Sequence, residues 1–380
     1  MFDYPFEEKT ILSALSCVLM YICILYTNYH RGVFPNFSFT DIGKRFKKSQ
    51  IIIIGLFIIV YSVGGDFFHF YETIKNYDFT PGAYNYGEPI YGILAKLTNR
   101  NYLLVRIIVW GGAYILYCKT AQNFGIPVYQ AAVILFICYP LTFCYARVTA
   151  GMACYFYGLS VIITAKKEFR FIRVLLGVFF ILISNLFHNS VIILVLMTPI
   201  IFIPFSKRNI LIILISLPIL VIIAKYYFNS ILTSITNYDE GIRAGKLDVY
   251  TEAPDNGEIK GIGVLLIETL SYLSFYIPIF VLLWNLFKHK NTKIMAKSAV
   301  FITRYLFGIV LASTIFFAFS MSASVLFYRV LYMSMIPICL LICISYNEQL
   351  ISIKAYKAAV GITCFYSAFR AIYDLYAFLI

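Results

Sequence analysis

The hydrophobic positions of the chain form long apolar segments that are separated by shorter polar ones. Because a helix needs about 20 apolar residues to cross a bilayer, the pattern predicts about twelve transmembrane helices, within a range of about 10–13. We expect one all-α, polytopic membrane domain over residues 1–380. The predicted segments are 10–27, 50–63, 102–118, 128–146, 148–164, 171–184, 188–205, 209–224, 263–287, 298–319, 325–345 and 355–378. Segments 50–63 and 171–184 are short, so they are either extended by their neighbours or broken half-helices.

Two polar segments, 64–101 and 225–261, are too polar to cross a membrane and too long to be simple turns. Within the first, apolar residues recur at helical spacing at Ile90, Ile93, Leu94 and Leu97. Glu88 is followed by Pro89, and proline is favoured at the first position of a helix. The pattern predicts a short helix from Pro89 to Leu97 that lies on the membrane surface.

The composition agrees with a membrane protein: 61% of the residues are hydrophobic, 13% are charged, and the mean hydropathy is +0.82. A soluble fold of this size could not remove so much apolar surface from water. This excludes a soluble enzyme, a nucleic-acid-binding domain and a disordered protein. The nine cysteines lie in apolar runs without zinc-ligand spacing, and we interpret them as packing residues.

The net charge of +13 is distributed unevenly, and its distribution predicts the topology. If the N-terminus faces outside, the inner segments hold eighteen basic and three acidic residues, whereas the outer side has a net negative charge. Basic loops remain in the cytoplasm. We therefore expect both termini and both long polar segments, 64–101 and 225–261, to face outside.

Several candidate functional residues lie on the predicted outer side. Asp66, His69 and Glu72 are spaced i, i+3, i+6 and would share one helix face. They form either a solvated helix start or a catalytic or sugar-binding cluster; their spacing is not a standard metal motif, and we predict no metal site. His188, at an outer hairpin, is either a hydrogen-bonded structural residue or a base or substrate contact.

Three arginines are predicted in the outer third of the membrane: Arg106, Arg147 and Arg329. Membrane arginines are costly and mark functional sites, and guanidinium groups suit phosphate through bidentate hydrogen bonds. The alternatives are a snorkelling Arg147 and a structural ion pair of Arg329 with Glu268 or Asp374.

Below Arg147, small residues recur along one helix face and predict close packing of a neighbouring helix; these are Ala150, Gly151, Cys154 and Gly158.

Other signatures of catalysis or transport do not occur in the sequence. It contains no glycine-rich phosphate loop, no GxSxG and no HExxH motif, and no line of charges runs through the bilayer. This favours chemistry on a lipid-linked substrate at one membrane surface over transport through the membrane.

The runs VGGDFFHFYETI, GEPIYGIL, ARVTAGMA, LFHNSVIIL and FYRVLYM resemble, in this order, the EpsG-like group of Wzy-type polysaccharide polymerases. The chain departs from that group in two places. The group often has an Arg shortly before the Asp, where this chain has Val63, Gly64 and Gly65, and it often has a Gln after the Arg, where this chain has Val148. The matching positions, which span about 60–350, are Asp66, Tyr71, Glu88, Arg147, His188 and Arg329.

The resemblance implies a GT-C-like glycosyltransferase of the bacterial inner membrane, without metal or other cofactor, whose active site faces the periplasm. Its substrates would be a donor and an acceptor oligosaccharide on undecaprenyl diphosphate; the bilayer and a chain-length regulator would be further partners, and nucleic acid would not. We assign candidate catalytic roles to Glu88, His188 and Asp66, diphosphate binding to Arg147, Arg329 and Arg106, and glycan binding to Tyr71, Glu72 and His69. The alternatives are a lipid-linked oligosaccharide flippase, an O-antigen ligase or another membrane glycosyltransferase.

Overall fold

The structure is a computed structural model that describes most of the chain up to residue 199 and a smaller part of the remainder. The described residues are 11–31, 41–60, 67–80, 88–137, 146–165, 167–199, 300–302, 304–305, 308, 333, 335–348 and 352–379. Every regular element in these ranges is a helix, and they contain no strand. The predicted all-α class is confirmed. The segments 209–224 and 263–287 and the polar segment 225–261 lie outside the described residues.

The described helices are numbered here in chain order. They are α1 Ile11–Arg31, α2 Asp41–Val60, α3 Phe67–Lys75, α4 Pro89–Leu97, α5 Tyr102–Asn123, α6 Val128–Ile137, α7 Ala146–Ile163, α8 Arg170–Phe187, α9 Ile192–Met197, α10 Met335–Asn347 and α11 Ile353–Leu379. One π-helical turn, Ile107–Gly111, lies within α5, and 3₁₀ turns Lys167–Phe169 and Asn189–Val191 precede α8 and α9.

The bounds of several helices agree with those that the hydrophobic pattern predicts, and others extend beyond them. Helix α4 has the predicted bounds, with Pro89 at its first position. The short segments 50–63 and 171–184 are extended by their neighbours rather than broken, because α2 already begins at Asp41 and α8 covers Arg170–Phe187. Helix α5 continues to Asn123, beyond the predicted end at 118.

The centre of the bundle is formed by α6 and α10, which are buried almost from end to end. All residues of α6 from Gln130 to Ile137 are buried, and so are those of α10 from Met335 to Ser345. Helices α1, α2, α5, α10 and α11 all contact α6. A helix that is apolar all round needs such complete enclosure.

Helices α7 and α8 approach each other closely through glycines. A Cβ atom added to Gly158 would lie 2.5 Å from the carbonyl oxygen of Gly177, and one added to Gly151 would lie 2.9 Å from that of Ser184. The predicted packing of small residues is therefore confirmed, with Gly151 and Gly158 at the closest points. This contact brings the start of α7 beside the end of α8.

Two of the described helices, Tyr102–Asn123 and Arg170–Phe187, are long and apolar enough to cross a membrane. Helix α8 in addition exposes large apolar side chains along its length: Phe171, Ile172, Leu175, Phe179, Leu182 and Leu186. A continuous apolar face of this kind is unfavourable in water and suits lipid hydrocarbon.

One end of the bundle collects basic residues and is called the basic end here. Neutral side-chain hydrogen bonds join helix ends there, from Asn123 on α5 to Ser160 on α7 and from Asn347 on α10 to Gln130 on α6. Exposed basic side chains surround these contacts: Lys48, Lys119, Arg170, Lys354 and Lys357. The start of α7, the end of α8 and the start of α5 lie at the opposite end.

Candidate functional site

Three of the candidate residues converge at the end of the bundle that is opposite the basic end. The Nη1 atom of Arg147 lies 3.3 Å from Oε2 of Glu88, and Nε2 of His188 lies 3.9 Å from Oε1 of the same carboxylate. Their side chains are only 11%, 8% and 8% exposed, respectively. These residues, called the Glu88 cluster here, come from α4, α7 and the end of α8.

The backbone of Glu88 supports α4, while its side chain serves another purpose. Glu88 is the N-cap residue in an extended conformation, and its carbonyl oxygen accepts a hydrogen bond from the backbone N–H of Tyr91. Its carboxylate makes no capping bond to the N–H groups of the helix. The carboxylate is instead directed to Arg147, which neutralises a charge whose burial would otherwise be costly.

Arg147 lies in the first turn of α7, and the close packing of α7 on α8 determines its position. A guanidinium carries five N–H donors in a planar fork. One of its nitrogens, Nη1, bonds to Glu88, so the arginine is already balanced by a carboxylate before any substrate binds. A guanidinium fork suits phosphate oxygens as well as carboxylates.

His188 caps α8, and its ring is oriented by Ser190. The backbone N–H of Ser190 donates to Nδ1 at 3.1 Å, and Oγ of Ser190 lies 2.5 Å from the same atom. Because a backbone N–H can only donate, Nδ1 carries no proton, and the neutral ring has its proton on Nε2. His188 therefore points an N–H group at Glu88, at a distance that is electrostatic contact rather than a hydrogen bond.

The chemistry available to this cluster follows from its composition. A buried carboxylate can accept a proton from a hydroxyl group, and an adjacent guanidinium can stabilise the negative charge of a phosphate leaving group. The imidazole N–H lies in electrostatic contact with the carboxylate. No group of three or more potential metal-ligating side chains occurs in the part of the chain that the structure describes.

Arg106 has a different environment from that of Arg147. It is fully buried, and its guanidinium carbon lies 4.5 Å from the ring centroid of Trp110. Its Nη2 atom donates to the carbonyl oxygen of Ile58 at 3.1 Å. The hydrogen bond to Ile58 connects α5 to α2 immediately before the π-helical turn, and neither contact brings Arg106 to the Glu88 cluster.

The predicted glycan-binding residues lie on α3. The ring of Tyr71 packs edge-on against Tyr102 at 5.1 Å, whereas the side chain of Glu72 is exposed. The buried face of α3 is formed by Phe70 and Ile74. Asp66, Arg329 and the side chain of His69 lie outside the described residues.

Two contributors to the site were not identified from the sequence, Tyr91 and Ser190. Tyr91 lies three residues after Glu88, and Ser190 lies two residues after His188. The available signal was their proximity in sequence to the two candidates.

Comparison with known proteins gives one positive finding. The model of the EpsG family matches residues 49–379, a range that includes every member of the Glu88 cluster. The comparison with curated proteins and that with solved structures both found no match.

Proposed function

Since the chain belongs to the EpsG family, we propose that it is an inner-membrane polymerase that joins oligosaccharide repeat units carried on undecaprenyl diphosphate. Members of this family are membrane proteins, and membership supports a polysaccharide-polymerase type of function. The identity of the lipid carrier, the periplasmic location of the reaction and its independence of metal are our proposal. The observation that carries it is the buried Glu88 cluster.

The position of this cluster supports a reaction on the periplasmic face. The basic end of the bundle exposes Lys48, Lys119 and Lys354, together with other basic residues. Basic helix ends are retained in the cytoplasm. The Glu88 cluster lies at the other end of the same helices, where the head group of a lipid-linked substrate in the outer leaflet would be within reach.

The proposed reaction is a glycosyl transfer. A hydroxyl group of the acceptor glycan attacks the anomeric carbon of the donor, while the bond from that carbon to the diphosphate oxygen breaks. The bonding electrons leave with undecaprenyl diphosphate, and Glu88 accepts the proton of the attacking hydroxyl. A positioned carboxylate is a suitable base for this step.

Arg147 links the two charge changes of the reaction. Before the reaction its positive charge is balanced by the Glu88 carboxylate at 3.3 Å. When Glu88 accepts a proton it becomes neutral, at the same moment as negative charge develops on the leaving diphosphate. The guanidinium then stabilises the diphosphate, as a preorganised cation does in a site of low dielectric constant.

The remaining candidates complete the proposal. Arg329 and Arg106 would bind diphosphate, Asp66 would be a second acidic group at the site, and Tyr71, Glu72 and His69 would contact the glycan. A chain-length regulator protein is a proposed partner.

Reconstitution in detergent tests this function. The purified chain is incubated with lipid-linked repeat units, and the products are separated by length. A ladder of lengthened lipid-linked glycans is expected, since polymerisation needs no membrane potential and no second compartment. A flippase would leave the repeat units unchanged, and a ligase would move glycan to a different acceptor without lengthening it; either result would reject the proposal.

Cysteine labelling tests the topology. Asp78 is exposed in the outer polar segment 64–101, and Lys119 is exposed at the basic end. In intact spheroplasts, an impermeant maleimide should label Asp78→Cys at once and Lys119→Cys only after permeabilisation, each compared with the parent protein. Labelling with the reverse pattern would place the Glu88 cluster on the cytoplasmic face.

A further inference from the structure

The hydroxyl group of Tyr91 connects the two segments that carry Glu88 and His188. Tyr91 lies one turn into α4, whose N-cap is Glu88. Its hydroxyl donates a hydrogen bond of 3.1 Å to the carbonyl oxygen of Phe187, the last residue of α8 and the neighbour of His188. A single side-chain bond thus spans from the helix of the carboxylate to the helix of the imidazole.

The ring of Tyr91 is held rigidly by its neighbours, so its hydroxyl group can fix the distance between α4 and the end of α8. The residue is completely buried, with Phe70 edge-on at 4.8 Å and Phe187 edge-on at 6.4 Å between ring centroids. Burial raises the pKa of Tyr91 well above its ordinary value, and the charge of Glu88 raises it further. The hydroxyl therefore stays protonated and acts as a hydrogen-bond donor rather than as an acid or base.

Helix α4 packs against α3, α5 and α8, and Tyr91 adds a directed hydrogen bond to these contacts. Close glycine packing positions α7 against α8 and so determines the place of Arg147 relative to His188. It does not determine the position of α4, a helix of nine residues that belongs to the polar segment 64–101. The hydrogen bond of Tyr91 attaches α4 to the end of α8.

We propose that Tyr91 is a positioning residue for the transfer reaction, which holds Glu88 at its distance from His188 and Arg147 through its bond to the Phe187 carbonyl. This inference rests on the proposed function of the Glu88 cluster. Without the hydroxyl, α4 can shift relative to α8, and a displacement of about 1 Å at a reacting group costs up to about 100-fold in rate. Tyr91 acts through Glu88 and makes no contact with substrate.

The chain offers a matched control for the loss of one buried tyrosine hydroxyl. Tyr114 is buried on α5, and its hydroxyl donates a 2.9 Å hydrogen bond to the carbonyl oxygen of Ile51 on α2. Tyr114→Phe removes the same group and the same kind of interhelical bond as Tyr91→Phe, nearer the basic end. A difference in activity between these two variants therefore reflects where the lost hydroxyl group lies, rather than a general loss of stability.

The experiment uses the full chain, reconstituted with lipid-linked repeat units, and compares Tyr91→Phe, Tyr114→Phe, Glu88→Gln and the double variant Tyr91→Phe/Glu88→Gln. For Tyr91→Phe we expect kcat to fall by about 10- to 100-fold with little change in KM. Tyr114→Phe should retain kcat and show a similar decrease in unfolding temperature. The double variant should be no slower than Glu88→Gln alone, because effects on one functional unit are not additive.

Several results would overturn the inference. These are equal kcat values for Tyr91→Phe and Tyr114→Phe, an increase in KM without loss of kcat, additive effects in the double variant, or an unfolding temperature of Tyr91→Phe far below that of Tyr114→Phe. An inactive Glu88→Gln together with a fully active Tyr91→Phe rejects the positioning role alone. A fully active Glu88→Gln rejects the proposed base, whatever Tyr91→Phe does.

Discussion

The two ends of the bundle use polar side chains in different ways. At the basic end, Asn123 pairs with Ser160 and Asn347 pairs with Gln130, so neutral groups satisfy one another and join helix ends. At the opposite end, a buried carboxylate, a guanidinium and an imidazole meet at distances of 3.3 and 3.9 Å. Neutral pairs stabilise architecture at low cost, whereas burying an ion pair carries a desolvation penalty that packing alone does not require. This difference is the reason why we propose that the end with the Glu88 cluster is the functional one.

The largest effect is expected from Glu88→Gln, which keeps the shape of the side chain and removes its charge. Loss of a general base typically costs about 10²- to 10⁴-fold in rate, so glycan extension should nearly stop while lipid-linked single repeats accumulate. The control is Glu348→Gln, an exposed carboxylate at the basic end, which should leave the extension rate unchanged. A normal extension rate in Glu88→Gln would contradict the proposal that the end with the Glu88 cluster carries the reaction.

Arg147→Ala should have the next largest effect on activity. It removes a charge-assisted contact to the diphosphate, worth about 1.5–3 kcal/mol, and should slow extension by about 10- to 150-fold. Arg147→Lys should recover only part of this rate, because an ammonium lacks the planar fork. Arg173→Ala is the control, since that arginine donates only to the Thr164 carbonyl at the basic end in the contacts described. Polymer of normal length from Arg147→Ala would contradict the proposal that this arginine stabilises the leaving diphosphate.

The packing between α7 and α8 predicts a difference between two glycines. Gly158→Ala should lower the free energy of unfolding by about 1–3 kcal/mol, because the new methyl group collides with the Gly177 carbonyl. Gly112→Ala is the control, since its Cβ would meet no atom within 4 Å. In a helix this second change should stabilise by up to about 1 kcal/mol. Thermal unfolding of both variants measures the difference, and equal shifts would refute the close approach.

His188 should respond to the kind of side chain that replaces it. If its N–H orients Glu88, His188→Gln retains a donor amide and should keep more activity than His188→Ala, which should lose about 10-fold. If His188 were instead the base, both variants would be equally inactive, because an amide does not accept a proton at neutral pH. Initial extension rates of the two purified variants separate these outcomes.

The smallest effect is expected at the basic end. Asn347→Ala removes the hydrogen bond to Gln130 and should cost about 0.5–1.5 kcal/mol of stability. The extension rate should not change, because the affected helix ends lie away from the Glu88 cluster. If the extension rate falls by more than the loss of folded protein accounts for, the two ends of the bundle are coupled.

The sequence alone determined much of the local structure, because local structure depends on near neighbours. Pro89 and the apolar residues from Ile90 to Leu97 were enough to predict the bounds of α4. The spacing of Gly151 and Gly158 indicated that a helix would pack closely against α7. Apolar segment lengths and the distribution of lysines and arginines predicted an all-helical membrane chain, and short motifs indicated its family.

Only the tertiary structure decided which candidates lie together. From the sequence, Glu88 and His188 were alternative bases, and Arg147 was a separate phosphate ligand. The structure joins them, orients the His188 ring through Ser190, and gives Arg106 a different place against Trp110. The contacts of Glu88 with Arg147 and His188 arise between helices far apart in the chain, and they depend on how whole helices pack. The spacing of residues along one segment carries no information about that packing, so the cluster becomes recognisable only when α4, α7 and α8 are in place.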